Sequence, residues 1–114
     1  MVVDQLDDRD VDRIFHALAD ATRRDILVRA SRREHSVSAL ARHYEMSFAA
    51  VQKHVAVLER ASLVSKHRRG REQIVHGNAA TLHRAAELLD AVEQLWIQRA
   101  VQIAEILGEE GDPT

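Results

Sequence analysis

Gln52 and Lys53 are the residues best suited to chemistry in this chain, and that chemistry is recognition rather than catalysis. Gln sets a donor and an acceptor side by side, the pair that complements the major-groove edge of adenine, while Lys reaches guanine acceptors or a phosphate. Around them stand Phe48, Ala49 and Ala56, apolar or small, where the wet face of a helix ordinarily carries long charged side chains. Phe48 and Ala49 suit the methyl group of thymine, and Ser47, capping a helix whose first N–H groups are free, suits a phosphate. Such a bare face fits a helix pressed against a large, flat surface. An ordinary amphipathic core helix could carry the same residues, so this segment alone leaves both readings open. Catalysis finds less support: there are only four glycines, none in a phosphate-cradling loop, and no recognisable nucleophile and base signature.

The elements that must position these residues follow from spacing. Val51, Val55 and Leu58 recur at helical intervals, which predicts a recognition helix over 47–58. Ahead of it, Ser38 is placed to cap a short helix carrying Leu40, Ala41 and Tyr44, with Glu45 and Met46 turning into the next element. Two short helices joined by a tight turn make a helix-turn-helix. Upstream, Val11, Ile14, Phe15 and Leu18 predict a first amphipathic helix. Asp20 caps a second, with Ile26 and Leu27 inward, Arg23, Arg24 and Arg29 outward, and a polar break at Arg32, Arg33 and Glu34. Downstream the period changes. Residues 63–77 read as a two-stranded hairpin, a wing, with Lys66, Arg68, Arg69 and Arg71 grouped around Gly70 at its tip. A cationic loop of that size can lie along a groove and grip phosphates; alone, it could equally be a solvated turn.

From Asn78, a plausible cap, a helix is expected over 79–107, stopped by Gly108 and spanning roughly 43 Å. Phe15 on the first helix, with Leu82, Ala85, Leu89, Val92, Trp96 and Ile103 on this one, forms an apolar seam longer than one small domain can cover. A twofold homodimer through the N- and C-terminal helices is the economical solution. The expected fold is therefore mainly α with a small β-hairpin, a single winged helix-turn-helix domain over 1–114.

A formal net charge of −2 conceals an uneven distribution. Residues 47–76 hold six basic side chains against two acidic ones, whereas the acid gathers at the ends, in an arm over 1–10, expected to be mobile, and a tail over 109–114. Phosphate attraction depends on the charge that faces the duplex, so double-stranded DNA remains a fitting partner. There is no cysteine, which rules out disulfides and thiolate metal sites. The acidic opening lacks the pattern of a signal peptide, and no apolar run approaches the ~20 residues of a membrane span; a cytoplasmic protein is expected.

Three stretches together carry a family resemblance: FHALADATRRDIL (15–27), VSALARHYEMSFAAVQKHVAVLERASLV (37–64) and KHRRGREQIV (66–75). In this order they resemble the ArsR family of winged helix-turn-helix transcriptional regulators. The resemblance implies a homodimer that represses by occupying an inverted-repeat promoter operator and leaves it when an inducer binds. It also implies a DNA-supporting role for His54, whose alternative is packing against the preceding helix. Three residues depart from the family pattern: Ala21 where Pro is usual, Ser62 where Gly is common, and Phe48 at an often polar position. Many members sense metals, and here the thiol ligands are lacking. The remaining candidate set is His83, Glu87 and Asp90, and no histidine follows His83 to complete the paired site usual on that helix. No cofactor is implied, and an effector, if there is one, leaves no trace in the sequence. The alternatives to a DNA-binding repressor are a dimeric interaction module that has lost DNA binding and a His/carboxylate metal-responsive repressor.

Overall fold

Asp7 and Asp20 open the first two helices by the same device. Each carboxylate accepts the backbone N–H three residues on, from Asp10 and from Arg23, both at 2.9 Å, which satisfies a donor that has no partner within the helix. In the computed structural model, which describes residues 7–108, eight elements follow one another: α1 (Asp8–Leu18), α2 (Ala21–Arg32), β1 (His35–Ser36), α3 (Val37–Ala41), α4 (Phe48–Arg60), β2 (Val64–Arg69), β3 (Glu72–Gly77) and α5 (Ala79–Leu107).

The core is built where the helical stripes meet the sheet. Ile14 from α1, Ile26 from α2, Leu40 from α3 and Val51, Val55 and Leu58 from α4 pack with Leu63 and Val75, all of them buried. Apolar burial of this kind is the main stabilising term and fixes which face of α4 is left outside.

Several expectations are corrected. The hairpin is one part of a three-stranded antiparallel sheet of order β1-β3-β2, with His35 opposite Val75 and Ser36 opposite Ile74. The added strand is two polar residues long, too short for any alternation to be legible. Ser36, not Ser38, caps α3, its Oγ accepting from the Ala39 N–H at 3.0 Å; Val37 and Leu40 both have to turn inward, and that register leaves Ser38 exposed. Tyr44 stands beyond α3, in the turn leading to α4. Asp8 to Asp10, expected in the arm over 1–10, form the first turn of α1; residues 1–6 lie outside the described residues, as does the tail expected at 109–114. Ala85, expected at the dimer seam, is buried in the subunit's own core, because the first turns of α5 pack on the domain before the helix leaves it.

Two turns fix the wing. Gly70 has φ +63°, and with Arg69 paired to Glu72 the loop is only Gly70 and Arg71, a tight hairpin whose first central residue must turn left-handed. Ser62, joining α4 to β2, has φ +61°, a conformation that disfavours any residue with a Cβ. Its N–H donates to Glu59 O at 2.9 Å and that of Leu63 to Leu58 O at 3.0 Å, closing the end of α4.

Candidate nucleic-acid interface

The outer face of α4 is set by its buried one. With Val51, Val55 and Leu58 fully enclosed, Ser47, Phe48, Ala49, Gln52 and Lys53 are exposed together. Ser47 caps the helix, its Oγ accepting from the Ala50 N–H at 3.1 Å, and the N–H of Val51 bonds to Ser47 O. The N–H groups of Phe48 and Ala49 precede the helical ladder and point outward at its positive end. Phe48 leaves nearly half its surface in solvent, a large apolar group beside an amide and a cation.

His54 does not share that face. It is half-buried, its Nδ1 3.3 Å from Arg23 Nη1 and 3.9 Å from Asp20 Oδ2, so its ring packs against the α1–α2 junction instead of pointing outward with Gln52 and Lys53. Arg23 is likewise turned partly inward rather than out, whereas Arg24 stays exposed as expected while reaching back to α1. Arg23 Nε donates to Ala17 O and its Nη2 to His16 O, both at 2.9 Å, and Arg24 Nη1 donates to Leu18 O at 2.8 Å. Two guanidiniums thus satisfy the last carbonyls of α1, where positive charge opposes the negative end of the helix. Asp20 serves both sides of this junction, and the Arg23 N–H, with the nearby Arg23 and His54 charges, holds its carboxyl below the usual carboxylate range.

A second cluster holds the turn that precedes α4. Tyr44 Oη donates to Asp25 Oδ2 at 2.6 Å, and Arg29 Nε donates to the same oxygen at 2.8 Å. The two hydrogen bonds pull Asp25 below its ordinary value, while burial, then the Asp25 bond, pushes the Tyr44 phenol up to about 12. Asp25 carries no signal of this role in the sequence, where it reads as one more exposed charge of α2.

The wing is less uniformly cationic than its composition suggests. Arg69 Nη1 lies 2.6 Å from Glu34 Oε1, tying the hairpin to the segment before β1, and the Arg69 hydrogen bond lowers the Glu34 carboxyl. Lys66 Nζ lies 3.6 Å from Glu59 of α4, and Arg68 Nε donates to Gly70 O at 3.2 Å. Among the described residues Arg71, at the turn, has no ion pair. Glu34 is the residue composition could not reveal, since it lies 35 positions from the cation it meets.

Of the metal candidates, His83 Nε2 and Glu87 Oε2 approach to 3.6 Å as neighbours one helical turn apart. Asp90 does not join them, and among the described residues no group of three or more such side chains is arranged to hold an ion. Of the expected seam, Phe15, Leu82, Leu89, Val92, Trp96 and Ile103 are exposed, Trp96 at 75%. Leu95, Ile97, Val101, Ile106 and Leu107 are exposed beside them, so the apolar surface is broader than a single stripe. No described helix is long and apolar enough to cross a membrane.

Comparison with known proteins agrees with this architecture. Residues 20–66 match the model of the bacterial regulatory protein family arsR. An HTH-type transcriptional regulator of Mycobacterium tuberculosis is 33% identical over 106 residues, covering 93% of this chain and 96% of that one. The structure of an ArsR-like transcriptional regulator from a Rhodococcus species is 31% identical and superimposes with a TM-score of 0.77 over 87% of this chain and 93% of its own. A homodimeric winged helix-turn-helix DNA-binding domain from Mycobacterium bovis is 27% identical, with a TM-score of 0.60 over 76% of this chain and 82% of that one. The helix-turn-helix, the wing and this likeness over nearly the whole length lead to one conclusion: the chain belongs to the ArsR family of winged helix-turn-helix transcriptional regulators, DNA-binding proteins rather than enzymes.

Proposed function

We propose that this regulator is a cytoplasmic homodimeric repressor that occupies an inverted-repeat operator. The observation that carries the reading is the outer face of α4, where Phe48, Ala49, Gln52 and Lys53 are exposed together with no acidic side chain among them. In each subunit Gln52 and Lys53 probe base edges, Phe48 and Ala49 touch thymine methyl groups, and Ser47 with the free N–H groups behind it holds a phosphate. Arg71 and Arg68 at the wing tip, with Lys66 and Arg69 nearer the domain, add sequence-independent attraction. His54 supports the helix from behind by locking it to the α1–α2 junction.

Dimerisation is supported by the apolar surface of α5 from Leu89 to Leu107 together with Phe15. A twofold axis there sets two copies of α4 about one turn of B-DNA apart, ~34 Å, and so calls for two half-sites. Repression follows from occupancy of a promoter, and relief follows from an effector that favours another arrangement of the same dimer.

Selection of bound fragments from a random DNA pool tests the reading. The expected product is a palindrome with half-site centres about 10 base pairs apart. Recovery of no duplex at modest ionic strength, or of single unpaired half-sites, sinks it. Substituting Gln52→Ala should relax the preference at one position of each half-site, a loss of about 1–3 kcal/mol of discrimination.

A further inference from the structure

β2 and β3 set two imidazoles side by side on one face of the wing. His67 lies opposite Ile74, and His76 opposite Ser65, so the two are diagonal neighbours, with ring centroids 5.5 Å apart. Arg69, next along that face, has its Nη1 2.6 Å from Glu34 Oε1 and its Nη2 3.4 Å from His67 Nε2. A guanidinium only donates, so the second contact exists with His67 neutral and its Nε2 bare. One carboxylate, one guanidinium and two imidazoles thus form a single network from the segment before β1 to the end of β3.

The other groups around the pair are few. Glu72, opposite Arg69, shares the face. His35 alternates onto the other face, its Nδ1 2.9 Å from Arg33 O, as do Lys66, which meets Glu59, and Arg68, which donates to Gly70 O. α2 reaches β3 through Ser31, against Gly77, and ends on the exposed Arg32, while its Arg29 is taken by Asp25. α3 packs on β3 with Val37–Ala41, none of them charged. With both imidazoles neutral the face therefore sets two carboxylates, Glu34 and Glu72, against one guanidinium, a net −1 on the wing of a DNA-binding protein.

We propose that this network is a pH switch that tightens operator binding as the solution acidifies, an inference that rests on the reading of the protein as a DNA-binding regulator. Imidazole is the side chain whose charge ordinarily changes between about pH 5 and 8. Protonation of His67 removes the acceptor and sets two cations against each other across 3.4 Å, and with His76 it turns the face from −1 to +1. Glu34 stays ionised throughout, because the Arg69 hydrogen bond holds its carboxyl below the ordinary value. The Arg69–Glu34 pair is open to solvent and correspondingly weak. Crowded by His67, Arg69 swings toward a phosphate, and the imidazoliums take its place beside Glu34.

The first arm of the test needs no DNA. With EDTA present to keep metal ions off the imidazoles, the δ-methylene NMR resonance of Arg69, identified by its absence in Arg69→Gln, is followed from about pH 8 to about pH 5.5. It should move together with the His67 ring resonance in the wild type and stay nearly still in His67→Gln. A resonance that does not move, or that moves equally in His67→Gln, overturns the switch, whether or not the protein binds DNA. In the second arm, affinity for the selected duplex is measured at about pH 8 and about pH 6 across a salt series. The wild type should gain about tenfold on acidification, with a salt slope steeper by about 0.9 per subunit for each cation brought to a phosphate. Most of that gain should vanish in His67→Gln/His76→Gln. An equal gain in the double variant overturns the operator role and places the pH response on other groups. No duplex bound at either pH overturns the operator role along with the reading beneath it, while the first arm still decides whether Arg69 answers to His67.

Discussion

Tyr44 shows how single side chains hold the DNA-facing helix in place. Its hydroxyl and the Arg29 guanidinium both donate to Asp25, so the turn before α4 is fastened to α2 rather than left to its own backbone. The phenol's pKa is raised, so its contribution to stability is full below pH ~10 and is lost as pH climbs toward about 12. Tyr44 is the chain's only tyrosine, which makes the check direct: phenolate absorbance should appear with a midpoint near 12, and a midpoint near 10 would contradict the contact. The carboxyls of Asp20, Asp25 and Glu34 are shifted the other way. Their contribution is complete above the ordinary carboxylate range and disappears as pH falls through their lowered values. Melting temperature should therefore stay level above about pH 5 and decline below about pH 4. Ser62 is the opposite case, a residue at odds with its place. Ser62→Gly should stabilise the fold by about 0.5–1 kcal/mol, a gain measurable by chemical denaturation, since only glycine adopts φ +61° without a Cβ penalty.

At the scale of elements, most of the fold is legible in the sequence, because helix starts and apolar spacing are local signals. Asp20 and Ser47 cap α2 and α4 as their positions promise, and α5 runs over Ala79–Leu107 as its seam and flanking Asn78 and Gly108 indicate. Apart from the cap of α3, at Ser36 instead of Ser38, what escaped depends on partners outside the element that carries the residue. β1 exists only because β3 offers it an edge, and the inward turn of Arg23 depends on carbonyls six and seven residues behind it. The wing's charge is hidden in the same way, since Glu34 neutralises Arg69 from 35 positions away. That pairing carries its own prediction. Glu34→Gln frees Arg69 for a phosphate, so the slope of log affinity against log salt should steepen by about 0.9 per subunit, with little change in melting temperature. An unchanged slope would mean that Arg69 faces no DNA. Leu58→Ala, by contrast, opens the core beneath α4 and should cost about 2–5 kcal/mol in equilibrium unfolding.

Taken together, the described residues extend over 68 Å, with a radius of gyration of 19.6 Å, where a compact chain of this size would have about 13 Å. The excess is α5, whose outer half carries Leu95, Trp96, Ile106 and Leu107 largely in solvent. An isolated domain does not ordinarily display so much contiguous apolar surface, which is why a second copy is the partner that fits. Trp96→Glu should move the protein toward monomer in sedimentation equilibrium and weaken operator binding in parallel, because half-sites read singly lose the second contact. A variant that remains dimeric would place the interface elsewhere. The central claim, that two copies of α4 and its wing grip one duplex, is met most directly by measuring affinity for the selected operator across a salt series in the wild type and in Lys53→Ala/Arg71→Ala. A dimer per duplex is expected, with the double variant losing affinity and its salt slope becoming shallower by up to about 2 for each subunit. An unchanged affinity and slope in the double variant would contradict the account.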